Sequence, residues 1–314
     1  MSELNYLKKD RKIADENNFV TYVDFQVANG KADMWLYDIF PGIQLMISDF
    51  ETDSCFRNSN EQNVIAINHC HRGRFECVFD KQNVLYLAEG DIALNSLYNL
   101  PKQSSVPMGR FYGSTILIFP EDIEDAELLE QFEIDFGKLS KKYDLDRQCH
   151  IFRRDEGMEH IYAEIYGHIK KGKPNQSFLR IKIIELLYHF QKEEILTENN
   201  RTYLSKVLTD KIKHVKEHLT EKPGERICLQ ELANEHGLSL TQLKKYFKEI
   251  YGVTPHAYIR IYRMNVAAKL LSETDMKIGD IALEVAYKNP SKFSEAFMDI
   301  MGSSPSDYRM KYKK

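Results

Sequence analysis

Apolar positions in this 314-residue chain recur with two different periods, and the change of period divides it. From about Ala32 to Pro120 they come as short strand-like runs. Gln44–Ile47 and Asn63–Ile67 are apolar runs, Arg74–Phe79 and Asn83–Leu87 alternate with polar residues, and Gly113–Phe119 closes the series. Alternation sends every second side chain to one face of a strand. Turn residues at Asp80-Lys81-Gln82 and Glu89-Gly90-Asp91 punctuate the runs. Beyond about Glu121 the period lengthens to that of a helix. Glu156–Lys170 and Ser177–Glu194 form two amphipathic stretches split by Lys173-Pro174-Asn175. The second places Phe178, Ile181, Ile184, Leu187 and Tyr188 on one face, flanked by Arg180, Lys182 and Lys192. Residues 1–20 are polar and read as an arm; Leu196–Ser205, with Asn199-Asn200, reads as a linker.

The last hundred or so residues hold one pattern written twice. The first copy runs Leu229, Leu232-Ala233, Gly237-Leu238-Ser239, Leu243, Phe247, Gly252, Pro255, Tyr258. The second runs Ile278, Ile281-Ala282, Ala286-Tyr287-Lys288, Phe293, Phe297, Gly302, Pro305, Tyr308. A short helix, a tight turn and a second helix, repeated, predict a tandem helix-turn-helix, and with it DNA as partner. Ser239 with Gln242 makes a capping box, while Asn289-Pro290 opens the corresponding helix of the second copy. Thr254-Pro255 and Ser304-Pro305 open the helix that follows each unit. Leu243, Phe247 and Ile250, like Phe293, Phe297 and Ile300, are expected to face each unit's core. From Pro255 to about Ser272 nothing breaks a helix, and Tyr258, Ile261, Asn265, Ala268 and Leu271 keep its rhythm. Such a rod is about 27 Å long, of the order of the roughly 34 Å between successive major-groove entries.

Over Asp210–Tyr308 these residues resemble the DNA-binding domain of AraC/XylS-type transcriptional regulators, down to the closing run Gly302-Ser303-Ser304-Pro305-Ser306-Asp307-Tyr308-Arg309. The resemblance implies a seven-helix domain with two recognition helices in successive major grooves. The chain departs from the family's pattern at Cys228, where a Ser or Thr cap is common, and at Ala286, where Gly is common.

Charge supports the division. The overall net charge is −4, but residues 205–314 sum to +5 and residues 1–204 to −9. Basic charge is concentrated where phosphate would be met.

The core positions of the first recognition helix leave Thr241, Gln242, Lys244, Lys245 and Lys248 on its other faces. Gln pairs with adenine, Lys reaches guanine and Thr meets a thymine methyl. By resemblance Thr241, Lys244 and Lys245 are the base readers, with Gln242 close by, while Lys248 lies a turn further on and suits phosphate. Solvated surface lysines are the plainer reading. The second helix offers Ser291, Lys292, Ser294, Glu295, Met298 and Asp299, with one basic and two acidic residues between Pro290 and Ile300. The first unit is therefore expected to discriminate bases and the second, through Ser291, Lys292 and Glu295, mainly to position.

The run Ile67-Asn68-His69-Cys70, then Gly73-Arg74-Phe75-Glu76 and Gly90-Asp91, resembles the cupin-like sensor domain of the same family. His69, His71 and Glu76, at H-x-H-x4-E, also match the way cupin enzymes present ligands to a metal. Those enzymes add a later His where this chain has Ala93, so no metal, cofactor or catalytic residue is assigned. Barrel aromatics such as Trp35, Tyr37, Phe79, Tyr86 and Phe111 read as core, with pocket lining as the alternative. Five cysteines (Cys55, Cys70, Cys77, Cys149, Cys228) show no C-x-x-C pairing, and neither an export signal nor an apolar stretch of 18 residues is present. The expectation is reduced thiols in the cytoplasm and no membrane segment.

The expected fold class is α+β: a cupin-like, effector-binding β-barrel over 21–150 and a helical dimerisation region over 151–195. A linker over 196–206 then leads to an all-α DNA-binding domain over 207–314, with two helix-turn-helix units joined by a long helix. The function read from it is a non-enzymatic, sequence-specific regulator that binds double-stranded DNA as a homodimer under a small effector, with RNA polymerase a further partner. A metal-dependent cupin enzyme fused to a DNA-binding domain and an effector-independent regulator are the alternatives.

Overall fold

The computed structural model describes residues 11–13 and 19–313, apart from 25–26, 28, 53–54, 58–62, 80–82, 97–100, 125, 146–148, 153–155, 173, 192–203, 222 and 226. Most of the expected arm, the linker up to residue 203, and the turn Asp80-Lys81-Gln82 lie outside the described residues. The chain divides into two compact units, Met1–Ser205 and Lys206–Lys314.

The first unit is mainly antiparallel sheet. Its strands are β1 (Arg11–Ile13), β2 (Val20–Asp24), β3 (Lys31–Phe40), β4 (Ile43–Glu51), β5 (Cys55–Arg57), β6 (Ile65–Val78), β7 (Asn83–Ala88), β8 (Ile92–Ser96), β9 (Gln103–Ser105) and β10 (Phe111–Ile118). Helices α1 (Ala126–Gln131) and α2 (Phe136–Tyr143), strand β11 (His150–Phe152), helices α3 (Glu156–Lys170) and α4 (Gln176–Gln191), and strand β12 (Leu204–Ser205) complete it. The pairing path is β1-β2-β3-β4-β10-β6-β7-β12, with β5, β8, β9 and β11 as branches. Among the described residues no pairing joins the ends of this path. Where the sequence suggests a closed barrel, the sheet is open.

One long strand, β6, links the two halves of the sheet. The runs Asn63–Ile67 and Arg74–Phe79, separate in the sequence reading, belong to one strand. Its first half pairs with β10 and β8, its second with β7 and β9. Between the halves Gly73 has φ +86°, and a Cβ there would sit 2.1 Å from the Arg110 carbonyl oxygen. Glycine alone permits that approach. The sheet turns over at this point, and the rings of Phe50, Phe75 and Phe111 meet across the fold.

Strand alternation now sorts the apolar residues into two cores. Leu45, Ile47, Ile65, Ile67, Ile116 and Ile118 pack against the helices, with Tyr162 and Ile165 of α3 and Leu179, Ile183 and Phe190 of α4. Met34, Leu36, Phe50, Ala66, Leu85, Leu87 and Leu117 point the other way, into the space between the sheet layers. Of the predicted face of α4, Leu187 is buried but Ile181 is 64% exposed. The helix buries a different stripe and keeps part of the predicted one outward.

The second unit is helical: α5 (Lys206–Glu221), α6 (Leu229–Glu235), α7 (Leu240–Tyr251), α8 (Pro255–Glu273), α9 (Ile278–Glu284), α10 (Pro290–Met301) and α11 (Pro305–Tyr312). The described end of the expected linker, residues 204–206, is already strand β12 and the start of α5.

Candidate nucleic-acid interface

Local chemistry starts and stops each helix of the second unit. At α7 the Ser239 hydroxyl accepts from the Gln242 N–H at 3.1 Å, and the Gln242 side chain accepts from the Ser239 N–H at 2.9 Å, closing the capping box. At α10 the Asn289 side chain accepts from Ser291 and Lys292, with Pro290 in the first turn. Both helices end on a left-handed glycine, Gly252 (φ +81°) and Gly302 (φ +71°). The turns inside the pairs are left-handed too, at Gly237 (φ +64°) and, 49 residues on, at Ala286 (φ +66°). Alanine pays a steric cost there that glycine avoids. At the start of α6 the Cys228 side chain makes no cap hydrogen bond, and neither does Lys277 at α9.

These caps orient two faces. In α7 Leu243, Phe247 and Ile250 are buried, leaving Thr241, Gln242, Lys244, Lys245 and Lys248 exposed. In α10 Phe293 and Phe297 are buried and Ile300 half-buried, with Ser291, Lys292, Glu295, Met298 and Asp299 exposed. Every residue singled out as a reader therefore lies on an outward face of its helix, but the faces differ in charge. Asp299 is further engaged by Arg260 of α8, whose Nη2 donates to it at 2.7 Å.

Sequence reasoning missed the parts that fix the two helix pairs to one another. Arg263, half-buried on α8, donates from Nε to the Pro223 carbonyl and from Nη2 to the Glu225 carbonyl, both at 2.7 Å. Between those carbonyls, a Cβ on Gly224 would meet the Glu284 carbonyl of α9 at 2.8 Å. One loop is thus held to the connecting helix and pressed against the second pair. Fifty residues after Arg263, Lys313 pairs with Asp275 ahead of α9, and Arg309 donates to the Met276 carbonyl at 2.7 Å. The signal was present as a basic residue repeated at the offset of the motif. The connecting helix also buries a different set from the predicted one: Ile259, Met264, Ala267, Ala268 and Leu271, with Asn265 exposed.

His69, His71 and Glu76 are not brought together. His69 Nδ1 lies 3.0 Å from the Tyr166 hydroxyl, and its ring stacks on Tyr162 at 3.9 Å. His71 stacks on Tyr166, and burial, with Arg72 beside it, lowers its pKa. Glu76, beyond the turn at Gly73, accepts hydrogen bonds from Tyr86 and Ser105. Among the described residues no cluster of three His, Cys, Asp or Glu is placed to hold a metal. Tyr162 and Tyr166 latch α3 onto the sheet, and that is what the two histidines do here.

The match to a family model falls within this second unit. Residues 232–311 match a family model described as a helix-turn-helix domain. A solved AraC-type regulator from Chromobacterium violaceum overlaps 33% of the chain and 93% of its own, at 24% identity and a TM-score of 0.32. The HTH-type transcriptional regulator ExsA of Pseudomonas aeruginosa is 37% identical over 81 residues, 26% of this chain and 29% of that protein. The uncharacterised HTH-type regulator YisR of Bacillus subtilis is 31% identical over 125 residues, 40% of this chain and 41% of that protein. The chain thus spans less than half the length of these curated relatives. What the match and the geometry cover together lies in the C-terminal unit, where residues 232–311 form a helix-turn-helix domain similar to those of AraC-type regulators.

Proposed function

We propose that the chain is a sequence-specific DNA-binding transcriptional regulator whose first helix-turn-helix reads bases and whose second positions the domain. The observation that carries this reading is the outward face of α7. Thr241, Lys244 and Lys245 stand exposed on a capped, rigid helix beside Gln242, with Lys248 a turn further on. Lysine and threonine at that depth suit guanine and a thymine methyl, and Lys248 suits a phosphate. On α10 Ser291 and Lys292 suit the backbone, while Glu295 accepts from a cytosine amino group and is repelled by phosphate.

The N-terminal unit, read as cupin-like by its sequence, is the input. A small effector held between its sheet layers would shift the balance between two arrangements of a dimer, which requires unequal affinity for the two. Dimer formation by a second copy is supported by α4, where Ile181 stands exposed between half-buried Phe178, Ile184 and Tyr188. Nothing in this reading needs a catalytic step or a metal. No helix among the described residues is long and apolar enough to cross a membrane.

Selection of bound fragments from random DNA by the full chain, at stated salt, tests the reading. Enrichment of a site with two elements about one helical turn apart is expected. Binding with no preference over random competitor would sink it. Enrichment that no metabolite pool alters would favour regulation without an effector.

A further inference from the structure

Set in register at the fifty-residue offset, the outward faces of α7 and α10 differ at each position. Thr241 corresponds to Ser291, Gln242 to Lys292, Lys244 to Ser294, Lys245 to Glu295 and Lys248 to Met298. The register is fixed from inside, because Leu243 and Phe247 are buried where Phe293 and Phe297 are, and both helices end on a glycine. Three of the five changes remove an ammonium group. A hydroxyl replaces that of Lys244, a carboxylate that of Lys245 and a thioether that of Lys248. Met298 is 47% exposed, and among the described residues no other large apolar side chain stands exposed on either helix.

A single exposed methionine on an arbitrary surface needs no explanation, but the neighbours of this one fix its place. It lies three residues after Glu295 and seven after Ser291, so the three share one face of α10. Its carbonyl accepts from the Gly302 N–H at 2.8 Å, which closes the last turn and holds its backbone. Asp299, the next residue, is engaged by Arg260 of α8. In the major groove guanine offers acceptors, cytosine an amino donor and thymine a C5 methyl group. Along the stripe from Ser291 through Glu295 to Met298 no cation is left to meet guanine. Glu295 suits the amino group of cytosine. The thioether of Met298 is drawn neither to phosphate, as the ammonium of Lys248 is, nor to base acceptors, and its partner in the groove is the methyl group.

Resting on the reading of α10 as a DNA-facing helix, we infer that Met298 is a specificity-determining residue that packs against the C5 methyl group of a pyrimidine in the second element of the site. That methyl group belongs to thymine or to 5-methylcytosine. The two elements are then unlike. The first is selected by hydrogen bonds from lysine and the second by one apolar contact beside the carboxylate of Glu295. A contact of this size leaves the second helix mainly a positioning element, with its discrimination confined to one base.

The test titrates the full chain with its selected DNA, in which deoxyuridine replaces one thymine of the second element at a time. Deoxyuridine keeps every hydrogen-bonding group of thymidine and lacks only the methyl. One replacement should weaken binding by about fourfold, the order for one buried methyl group. Met298→Ala should weaken binding to unmodified DNA by a similar factor and be indifferent to that replacement, the non-additivity of a direct contact. Where the selected site has cytosine at that position, 5-methylcytosine should instead tighten binding by the same factor, and only with Met298 in place. The two arms thus tell thymine from methylated cytosine. Met310→Ala, at an 80% exposed methionine on α11, should leave the methyl effect intact. The inference is overturned if adding or removing a methyl group anywhere in the second element changes nothing. It is equally overturned if Met298→Ala keeps the full methyl effect, or if Met310→Ala abolishes it as well. Absence of any sequence preference would overturn the regulator reading and this inference with it, whereas preference without a methyl effect overturns the inference alone.

Discussion

The two helix pairs of the C-terminal unit meet the same internal demands and answer the outside differently. Phe247 meets Tyr258 edge-on at 5.5 Å and 77°, and fifty residues later Phe297 meets Tyr308 at 5.4 Å and 84°. Gly252 and Gly302 close both second helices, and Thr254-Pro255 and Ser304-Pro305 open both third ones. On the surface the likeness ends. The outward face of α7 carries Lys244, Lys245 and Lys248; that of α10 carries Lys292 against Glu295 and Asp299. Packing and capping leave few solutions, so the scaffold repeats, whereas an exposed side chain is constrained only by what it touches.

The sharpest way to break this asymmetry is alanine substitution on the two faces. Lys245→Ala should cost about 1–3 kcal/mol of affinity for the selected DNA and relax preference at one position. Lys292→Ala should cost less and act evenly across sequences, with a shallower salt dependence. Titrations at two salt concentrations read both effects. A larger loss at Lys292 would reverse the assigned roles.

Next in size is the joint between the pairs. Arg263→Met removes two charge-assisted hydrogen bonds to carbonyls of the 223–225 loop. For a half-buried side chain about 2 kcal/mol of domain stability is at stake. Thermal melting should show the loss, and DNA with both half-sites should suffer more than DNA with one, because the second pair is then held less firmly. Equal losses on the two DNAs would mean that the loop does not fix their relation.

A smaller effect separates the turns. Ala286 occupies the left-handed region at φ +66°, where Gly237 stands in the first pair. Ala286→Gly should stabilise the domain by about 1 kcal/mol, the cost of a Cβ in that region less the added freedom of glycine when unfolded. Gly237→Ala should do the reverse. A neutral Ala286→Gly would show that the second turn relaxes without its Cβ constraint mattering.

How much of this was legible depended on whether a residue answers to its own neighbours in sequence. Ser239 with Gln242, and Asn289 with Pro290, signal helix starts within a few residues, and both devices stand in the structure. Alternation gave the strands but not the continuity of β6, because Gly73 reads locally as a turn while Arg110, far away in sequence, requires the close approach. Helix α8 misled because it packs between two cores, so its buried set, from Ile259 to Leu271, follows no single stripe. His69, His71 and Glu76 share a spacing, yet the residues that claim them, Tyr166, Tyr162, Tyr86 and Ser105, are distant or on another strand. The outward faces of α7 and α10 were legible from their caps and core spacing; Arg263 was overlooked because its partners are backbone carbonyls, and only the recurrence of a basic residue at Lys313 marks it.

The finest distinction concerns the first helix of each pair. Cys228 and Lys277 hold the N-cap positions of α6 and α9 in extended conformation, and neither side chain caps. A thiol is a weak acceptor, and the ammonium of lysine is none. Cys228→Ser would place a hydroxyl within reach of the Glu231 N–H, and Glu231 is itself the residue whose side chain can return to the cap N–H. A gain of about 0.5–1 kcal/mol is expected. Lys277→Ser gains the hydroxyl but has Asp280 at the third position, whose shorter side chain reaches back less well, so its gain should be smaller. Paired melting curves decide the order. If Lys277→Ser stabilises as much as Cys228→Ser, the reciprocal bond from the third residue contributes nothing here, and the two helix starts are equivalent despite their different sequences.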